Sequence, residues 1–378
     1  MPRRDAGRAL LLSLLLAACV GGATDAALSD SVVIDVTGAK PPSIAIDEHG
    51  EKLWSFGGLK DNPDDELQQG GVPGLVALPD GNYLMVEGFR VRVFDRDANE
   101  LWRFGREGAG PQEFANLGWG CLVSGDTVLV TDQRNRRFAL IKPFQGVITT
   151  VPMGEQSVTS GACTDGNGYL LGRRQRDSVR TTVELAVGGT DAVLDTAMLS
   201  VEYAMENLVG YGWPRYGMVD TLVFIADPNH SVIDLHDRAG QFVRHFLWDT
   251  ERVPVTDENI PERFGIVPAG ESGPQLEQWW NSVRSRPRAD NWPAFVGISP
   301  DSRGRLWIRE SFETGADSAQ YLVLDPSVGR VVASVMMPGF SRDRQVRINS
   351  YVPDGIVLMH TDDDGAMWMS VIPYPDPL

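Results

Sequence analysis

Apolar residues along this chain come in short runs closed by Gly, Asp, Asn or Pro, the pattern of brief β-strands joined by tight turns. Two stretches are near copies: Asp47-Glu48-His49-Gly50-Glu51-Lys52-Leu53-Trp54-Ser55-Phe56-Gly57 and Asp95-Arg96-Asp97-Ala98-Asn99-Glu100-Leu101-Trp102-Arg103-Phe104-Gly105, 48 residues apart. Each sets an Asp-initiated turn before a strand carrying Leu-Trp-x-Phe-Gly, which is hairpin chemistry. Looser versions recur at Val232–Phe246 and Tyr321–Val335. A second hairpin type alternates with the first and ends in a polar residue: Leu75–Glu87, Gly120–Asp132, Gly161–Arg173, Trp213–Asp227, Phe295–Glu310 and Ser350–Thr361.

The terminal polar positions Glu87, Asp132, Arg173, Asp227, Glu310 and Thr361 are separated by 45, 41, 54, 83 and 51 residues. Six units of four short strands, with a period in the forties to fifties, predict an all-β fold, a six-bladed β-propeller. The 83-residue step holds about 40 residues too many for one such repeat and marks an insertion at 249–292. Within it, Leu276, Trp279, Trp280 and Val283 recur at helical spacing, so Pro274–Arg284 reads as a short amphipathic helix and the insertion as partly helical. It is long enough to cover one face of the disc, with Trp279 and Trp280 either packing it down or lining a binding site. Residues 345–372 supply three strands of the last blade, and Lys52–Phe56 supplies its fourth. The propeller is thus closed by pairing of the N- and C-terminal segments, which removes an exposed sheet edge. Ser43–Ile46 is either an extra strand or a lead-in.

Composition narrows the function. The 378 residues carry 34 Lys+Arg against 51 Asp+Glu, a net charge of −17. No basic field exists to gather a phosphate backbone, so nucleic acid is excluded as a partner. Arg3, Arg4 and Arg8 precede an apolar run, Ala9–Ala18, that is too short to span a bilayer and ends in small residues: a secretory signal peptide over 1–18. Leu16-Ala17-Ala18-Cys19 resembles the bacterial lipobox, which implies cleavage before Cys19 and an acylated thiol there, with the lipid bilayer as partner. The expected location is the bacterial cell envelope, facing the periplasm or the surface. Residues 19–42 hold Gly21, Gly22, Pro41 and Pro42 and read as a flexible tether; 43–378 are the propeller. Export would leave Cys121 and Cys163 where a disulfide can form, and their similar places in adjacent repeats leave two readings open, a bridge or two buried thiols.

Between the first two full blades stand Gly105-Arg106-Glu107-Gly108-Ala109-Gly110-Pro111-Gln112-Glu113-Phe114 and Gly125-Asp126-Thr127-Val128-Leu129-Val130-Thr131-Asp132-Gln133-Arg134-Asn135-Arg136-Arg137-Phe138. This resembles the NHL-type repeat, and most of all the bacterial six-bladed β-propeller lipoproteins. Ser124-Gly125-Asp126 departs from the repeat by shifting the turn, and Arg173 stands where it wants an acid. The resemblance implies the fold and not an activity.

Chemistry is sparse. No G-x-S-x-G, H-E-x-x-H, Walker loop or dinucleotide fingerprint occurs, so no catalytic residue is assigned. His230 and His236 lack a third ligand, and Asp362-Asp363-Asp364-Gly365 reads as a solvated turn rather than a calcium loop. The equivalent strand ends place Glu87, Asp132, Arg173, Asp227, Glu310 and either His360 or Thr361 around one mouth of the channel. Those acids either staple strand ends or present oxygens to a divalent cation such as calcium or to a polyol, with Arg173 and Arg309 set for an anionic substituent. Two functions follow: a lipid-anchored binding or scaffolding module for a small molecule or envelope protein, or a propeller hydrolase or lyase acting on a carbohydrate-like or lactone substrate with that cation.

Overall fold

The computed structural model describes residues 31–35, 41, 43–47, 50–60, 66–67, 74–153, 157–164, 168–176, 180–188, 199–204, 208–260, 273–311, 318–338, 347–362, 364–376 and 378. The early chain supplies β1 (Ser31–Asp35), β2 (Ser43–Ala45) and β3 (Trp54–Gly57). Sheet I is β4 (Gly74–Ala77), β5 (Tyr83–Glu87), β6 (Arg90–Phe94) and β7 (Glu100–Phe104). Sheet II is β8 (Leu117–Ser124), β9 (Thr127–Asp132), β10 (Arg137–Lys142) and β11 (Gly146–Pro152). Sheet III is β12 (Ser157–Thr164), β13 (Gly168–Arg176), β14 (Arg180–Gly188) and β15 (Leu199–Ala204). Sheet IV is β16 (Arg215–Val219), β17 (Leu222–Asp227), β18 (Val232–His236) and β19 (Phe242–Asp249). After helix α1 (Pro274–Arg284) comes sheet V: β20 (Phe295–Pro300), β21 (Leu306–Glu310), β22 (Ser318–Asp325) and β23 (Arg330–Pro338). Five sheets thus take their four meander strands from one stretch of chain. A sixth, sheet VI, joins β24 (Arg347–Val352), β25 (Gly355–Thr361) and β26 (Met367–Pro373) to β3 from the N-terminal side.

This is an all-β propeller fold with one helix. Its physics is plainest in β5, whose five residues are all buried. Successive side chains leave a strand on opposite faces. Leu84 and Val86 accordingly pack with Val128, Val130, Ala139 and Ile141 of sheet II, while Tyr83 and Met85 pack with Trp54, Val357 and Met369 of sheet VI. A strand buried on both faces is apolar except where a charge is paired, as Glu87 at the end of β5 is by Arg92, which is why these repeats read as continuous runs rather than as alternation. Each such Leu, Val or Met contributes roughly 1.5–3 kcal/mol relative to exposure. Equivalent clusters join sheet III to IV, IV to V and V to VI, and β8 touches β12 between sheets II and III.

The early chain does more than close the ring. β3 pairs antiparallel with β26, matching Ser55 to Ser370 and Trp54 to Val371. Trp54 also donates its indole N–H to Asp95 O at 3.2 Å, so the seam reaches into sheet I. β1 adds to β19 and β2 to β23, both in parallel, covering the outer edges of sheets IV and V. Part of the span expected to be a flexible tether is therefore docked strand. The reason is local: Val32-Val33-Ile34 is a β-branched run, and it seats Ile34, 4% exposed, against Phe246 and Trp248. The signal peptide and Cys19 lie outside the described residues. Cys121 on β8 is disulfide-bonded; the Cys163 side chain lies outside the described residues.

The insertion leaves β19 and rejoins at β20, with α1 at the bounds its sequence predicts. Among the described residues no helix is long and apolar enough to cross a membrane.

Candidate functional site

Strand register fixes which residues stand at one end of each sheet. Leu117 opens β8 opposite Asp132, Phe295 opens β20 opposite Glu310, and Arg215 opens β16 opposite Ala226, next to Asp227. Val158 faces Arg173 and Gly74 faces Val86, next to Glu87. Glu87, Asp132, Asp227, Glu310 and Thr361 each end the second strand of their sheet, whereas β13 runs three residues past Arg173, to Arg176.

The carboxylates do not share one centre. Glu87, 2% exposed, accepts from Arg92 Nη1 at 3.1 Å, and Arg92 in turn pairs with Glu100 at 2.5 Å. That guanidinium also lies 4.5 Å from the Phe56 ring of β3, tying sheet I to the closing strand. Asp132 accepts the backbone N–H groups of Ala115 and Asn116 at 3.1 and 3.3 Å, the Asn135 amide at 2.7 Å and Arg137 Nε at 3.1 Å. Asp227 caps its own turn, taking the N–H groups of Asn229 and His230 and the His230 ring at 2.7 Å. Among the described residues no group of three or more His, Cys, Asp or Glu is set to hold a metal. The Arg173 side chain lies outside the described residues.

The connector into sheet II is likewise held from within. Glu113 accepts the Gly110 N–H at 2.9 Å and pairs with Arg106, and these contacts hold its carboxyl below the usual carboxylate range. Gly108 is required there: its φ is +155°, and a Cβ would meet Glu113 Oε2 at 2.2 Å. The Asp362 turn behaves as a turn, with Asp362 taking the N–H groups of Asp364 and Ala366 and the Trp368 indole.

A different set of residues is left facing outward at the same end, beside the insertion. The insertion clamps the connector that leads into β16: Val209 N–H donates to Pro287 O at 2.9 Å and Ala289 N–H donates to Val209 O at 3.0 Å. Arg252 adds bonds to Asn229 O at 2.8 Å and Ser231 Oγ at 2.7 Å, so the insertion grips the turn carrying Asp227 as well. Beneath it, Val209, Ile260, Val283 and Trp292 form a small core. Trp279 and Trp280, ring centroids 4.5 Å apart, pack against this core. They fasten the insertion in place.

The clamped connector carries Tyr211, Trp213 and, at the start of β16, Arg215. Tyr211 and Trp213 meet edge to face, centroids 6.0 Å apart, and Trp213 stays 43% exposed. Arg215 is accessible too, yet the surrounding protein displaces enough water to lower its pKa, with Tyr216 opposing that shift. Its Nη2 donates at 3.3 Å to the carbonyl of Val296, the extra residue at a break in the β20–β21 register, where a carbonyl leaves the ladder. Among the described residues no carboxylate pairs with Arg215. Arg309 stands opposite Gly297 on the neighbouring strand; burial lowers its pKa, and Tyr321 works in the other direction. Arg215 and the Tyr211–Trp213 pair were not singled out in the sequence, because a single Arg after Trp-Pro carries no motif.

Known structures show the same architecture. The chain is similar to an exported protein of Bacteroides fragilis, at 11% identity and a TM-score of 0.51, over 92% of this chain and 99% of that one. A member of the DUF4221 family from Bacteroides vulgatus matches at 9% identity and a TM-score of 0.49, over 85% and 96%. The likeness is one of fold. No protein-family model matches, and no curated protein is similar.

Proposed function

We propose that this protein is an exported, lipid-anchored, six-bladed β-propeller that acts as a binding or scaffolding module, with the mouth beside the insertion as its recognition face. The blade count treats the composite sheet VI as a blade like the other five. Export is supported by Arg3, Arg4 and Arg8 ahead of Ala9–Ala18, and by the exported Bacteroides protein of similar fold. Leu16-Ala17-Ala18-Cys19 supports acylation of Cys19.

The observation that carries the recognition face is the clamp between Val209 and Pro287–Ala289. A long insertion costs ordering entropy, and here that ordering fixes a connector that leaves Trp213 facing water beside Arg215, which pairs with no carboxylate among the described residues. The test has two arms. Cys19→Ala should move the full chain from the membrane fraction to the soluble one. A thermal-shift screen of the full chain against envelope metabolites should yield a ligand that raises Tm, and Trp213→Ala should abolish that shift. A ligand whose shift survives Trp213→Ala sends the recognition face elsewhere.

A further inference from the structure

We infer that the outer rim where β1 joins sheet IV is a second membrane contact, with Phe242, Val243 and Val328 seated in the headgroup region of the bilayer that holds Cys19; this rests on the reading of Cys19 as an acylated residue. Parallel pairing sets Ser31 opposite His245 and Asp35 opposite Asp249, so the chain arrives at the early end of β19. The insertion leaves from the late end, beyond Asp249, roughly 20 Å away along the strand. Twelve residues lead from Cys19 to Ser31, and covalent geometry lets them span at most about 40 Å. Of the two ends of sheet IV, the early end is therefore the one next to the anchor along the chain.

Three segments meet at that end. The turn after β18 leads directly into Phe242 and Val243 at the start of β19. Arg244 donates to Pro326 O at 2.9 Å and to Ser327 O at 3.4 Å, which holds the turn between β22 and β23 of sheet V against β19. A Cβ on Gly329 would lie 3.4 Å from Val32, so the same turn abuts β1. Here Phe242 is 45%, Val243 40% and Val328 57% exposed, with Val33 of β1 59% exposed close by. Large apolar side chains left open to water on touching segments form a patch of the kind that marks an interaction surface.

The charges around the patch suit lipid. Arg238 and Arg330 are exposed on the two turns, and Arg244 is half-buried between them. The neighbouring acids are engaged locally: Asp237 accepts the N–H groups of Ala239 and Gln241, Asp325 accepts those of Ser327 and Val328, and Asp234 pairs with His245. In a chain of net charge −17, apolar tips bordered by arginine match an interface whose phosphates lie above its acyl chains. The link to Cys19 makes this second contact intramolecular, so a small patch suffices.

The test is photo-crosslinking of the full chain in vesicles of phosphatidylethanolamine and phosphatidylglycerol, with intact mass reporting the lipid on Cys19. Benzoylphenylalanine is placed at Phe242, at Val328 or, as the control, at Gln278 on α1, all exposed positions. Irradiation should add a phospholipid mass from the first two sites and none from the third. Val243→Asp combined with Val328→Asp should abolish the adduct at Phe242 while the chain still floats with the vesicles and Tm stays put, since both side chains are exposed. No adduct from an acylated chain that floats, an equal adduct at Gln278, an adduct to a second copy of the chain in place of lipid, or a Phe242 adduct that survives the double variant would each overturn the rim contact. The anchor fails separately, if Cys19 carries no lipid mass; vesicles added to such an unacylated chain must still draw lipid adducts at Phe242 and Val328 for the rim contact to stand.

Discussion

Asp132 and Arg137 form an ion pair at 3.1 Å whose carboxylate is wholly enclosed. With Ala115, Asn116 and Asn135 also donating, the acid links β9, the connector ahead of β8 and the start of β10. Removing one partner of such a pair leaves the other charge buried and uncompensated. Asp132→Ala should therefore cost about 3–5 kcal/mol in urea unfolding and leave the affinity of any mouth ligand unchanged. A variant that keeps its stability but loses ligand would return Asp132 to the binding site.

The seam depends on Trp54. It is 2% exposed, stacks near Phe56 and lies 5.6 Å from Phe94 across the junction with sheet I. Trp54→Ala should cost about 3–5 kcal/mol and, because β3 is the fourth strand of sheet VI, should speed hydrogen exchange first in β26. Uniform loss of protection across all six sheets would contradict a local opening at the closure.

Acid should weaken the fold through a defined set of carboxylates. For Asp362 the Trp368 indole, and for Glu113 the Gly110 N–H, hold the pKa below the ordinary value. Burial pushes Glu100 up, but its bonds to Arg103 and Arg92 outweigh burial and leave it lowered. A depressed folded-state pKa contributes stability that is complete above the unfolded-state value and is lost as pH falls through the folded one. Urea midpoints should be flat above about pH 5 and fall steadily below pH 4. Glu113→Gln should flatten part of that fall.

Alkali acts on the tyrosines. Burial raises Tyr374 to about 12, although its bond to Ser302 opposes the shift, and burial lifts Tyr351 well above its ordinary value. A raised pKa contributes stability that is present below the unfolded value near 10 and is lost as pH rises through the folded one. Absorbance titration of the native protein should leave these two phenols protonated at pH 11, and Tyr374→Phe should remove one late-titrating group.

The Cys121 disulfide has a testable partner. β8 and β12 touch, and Cys163 lies on β12. Peptide mapping without reduction should return a Cys121–Cys163 fragment. Cys121→Ser should then cost about 2–4 kcal/mol, the chain-entropy value for a loop of this length. A fragment joining Cys121 to Cys19 would overturn the pairing and the acylation together.

How much was legible in the sequence follows from the range of each interaction. Turn chemistry and apolar runs are local, so the hairpins, the bounds of α1, the insertion and the closing strand near Trp54 were all readable before any coordinates. The short β1 was missed because Gly and Pro dominate its surroundings, although Val32-Val33-Ile34 was the available signal. The site is another matter. Glu87, Asp132 and Asp227 sit at the equivalent strand ends that their spacing implies, but whether a carboxylate faces a ligand or its own sheet depends on what the adjoining strand places beside it. Arg92 and Arg137 answer for two of them. Arg215 is the converse, a cation that pairs with no acid among the described residues and donates instead to Val296 O where the β20 register breaks. Periodicity along the chain determined the sheets; partner choice between sheets, which no local pattern encodes, determined which charges remain for function.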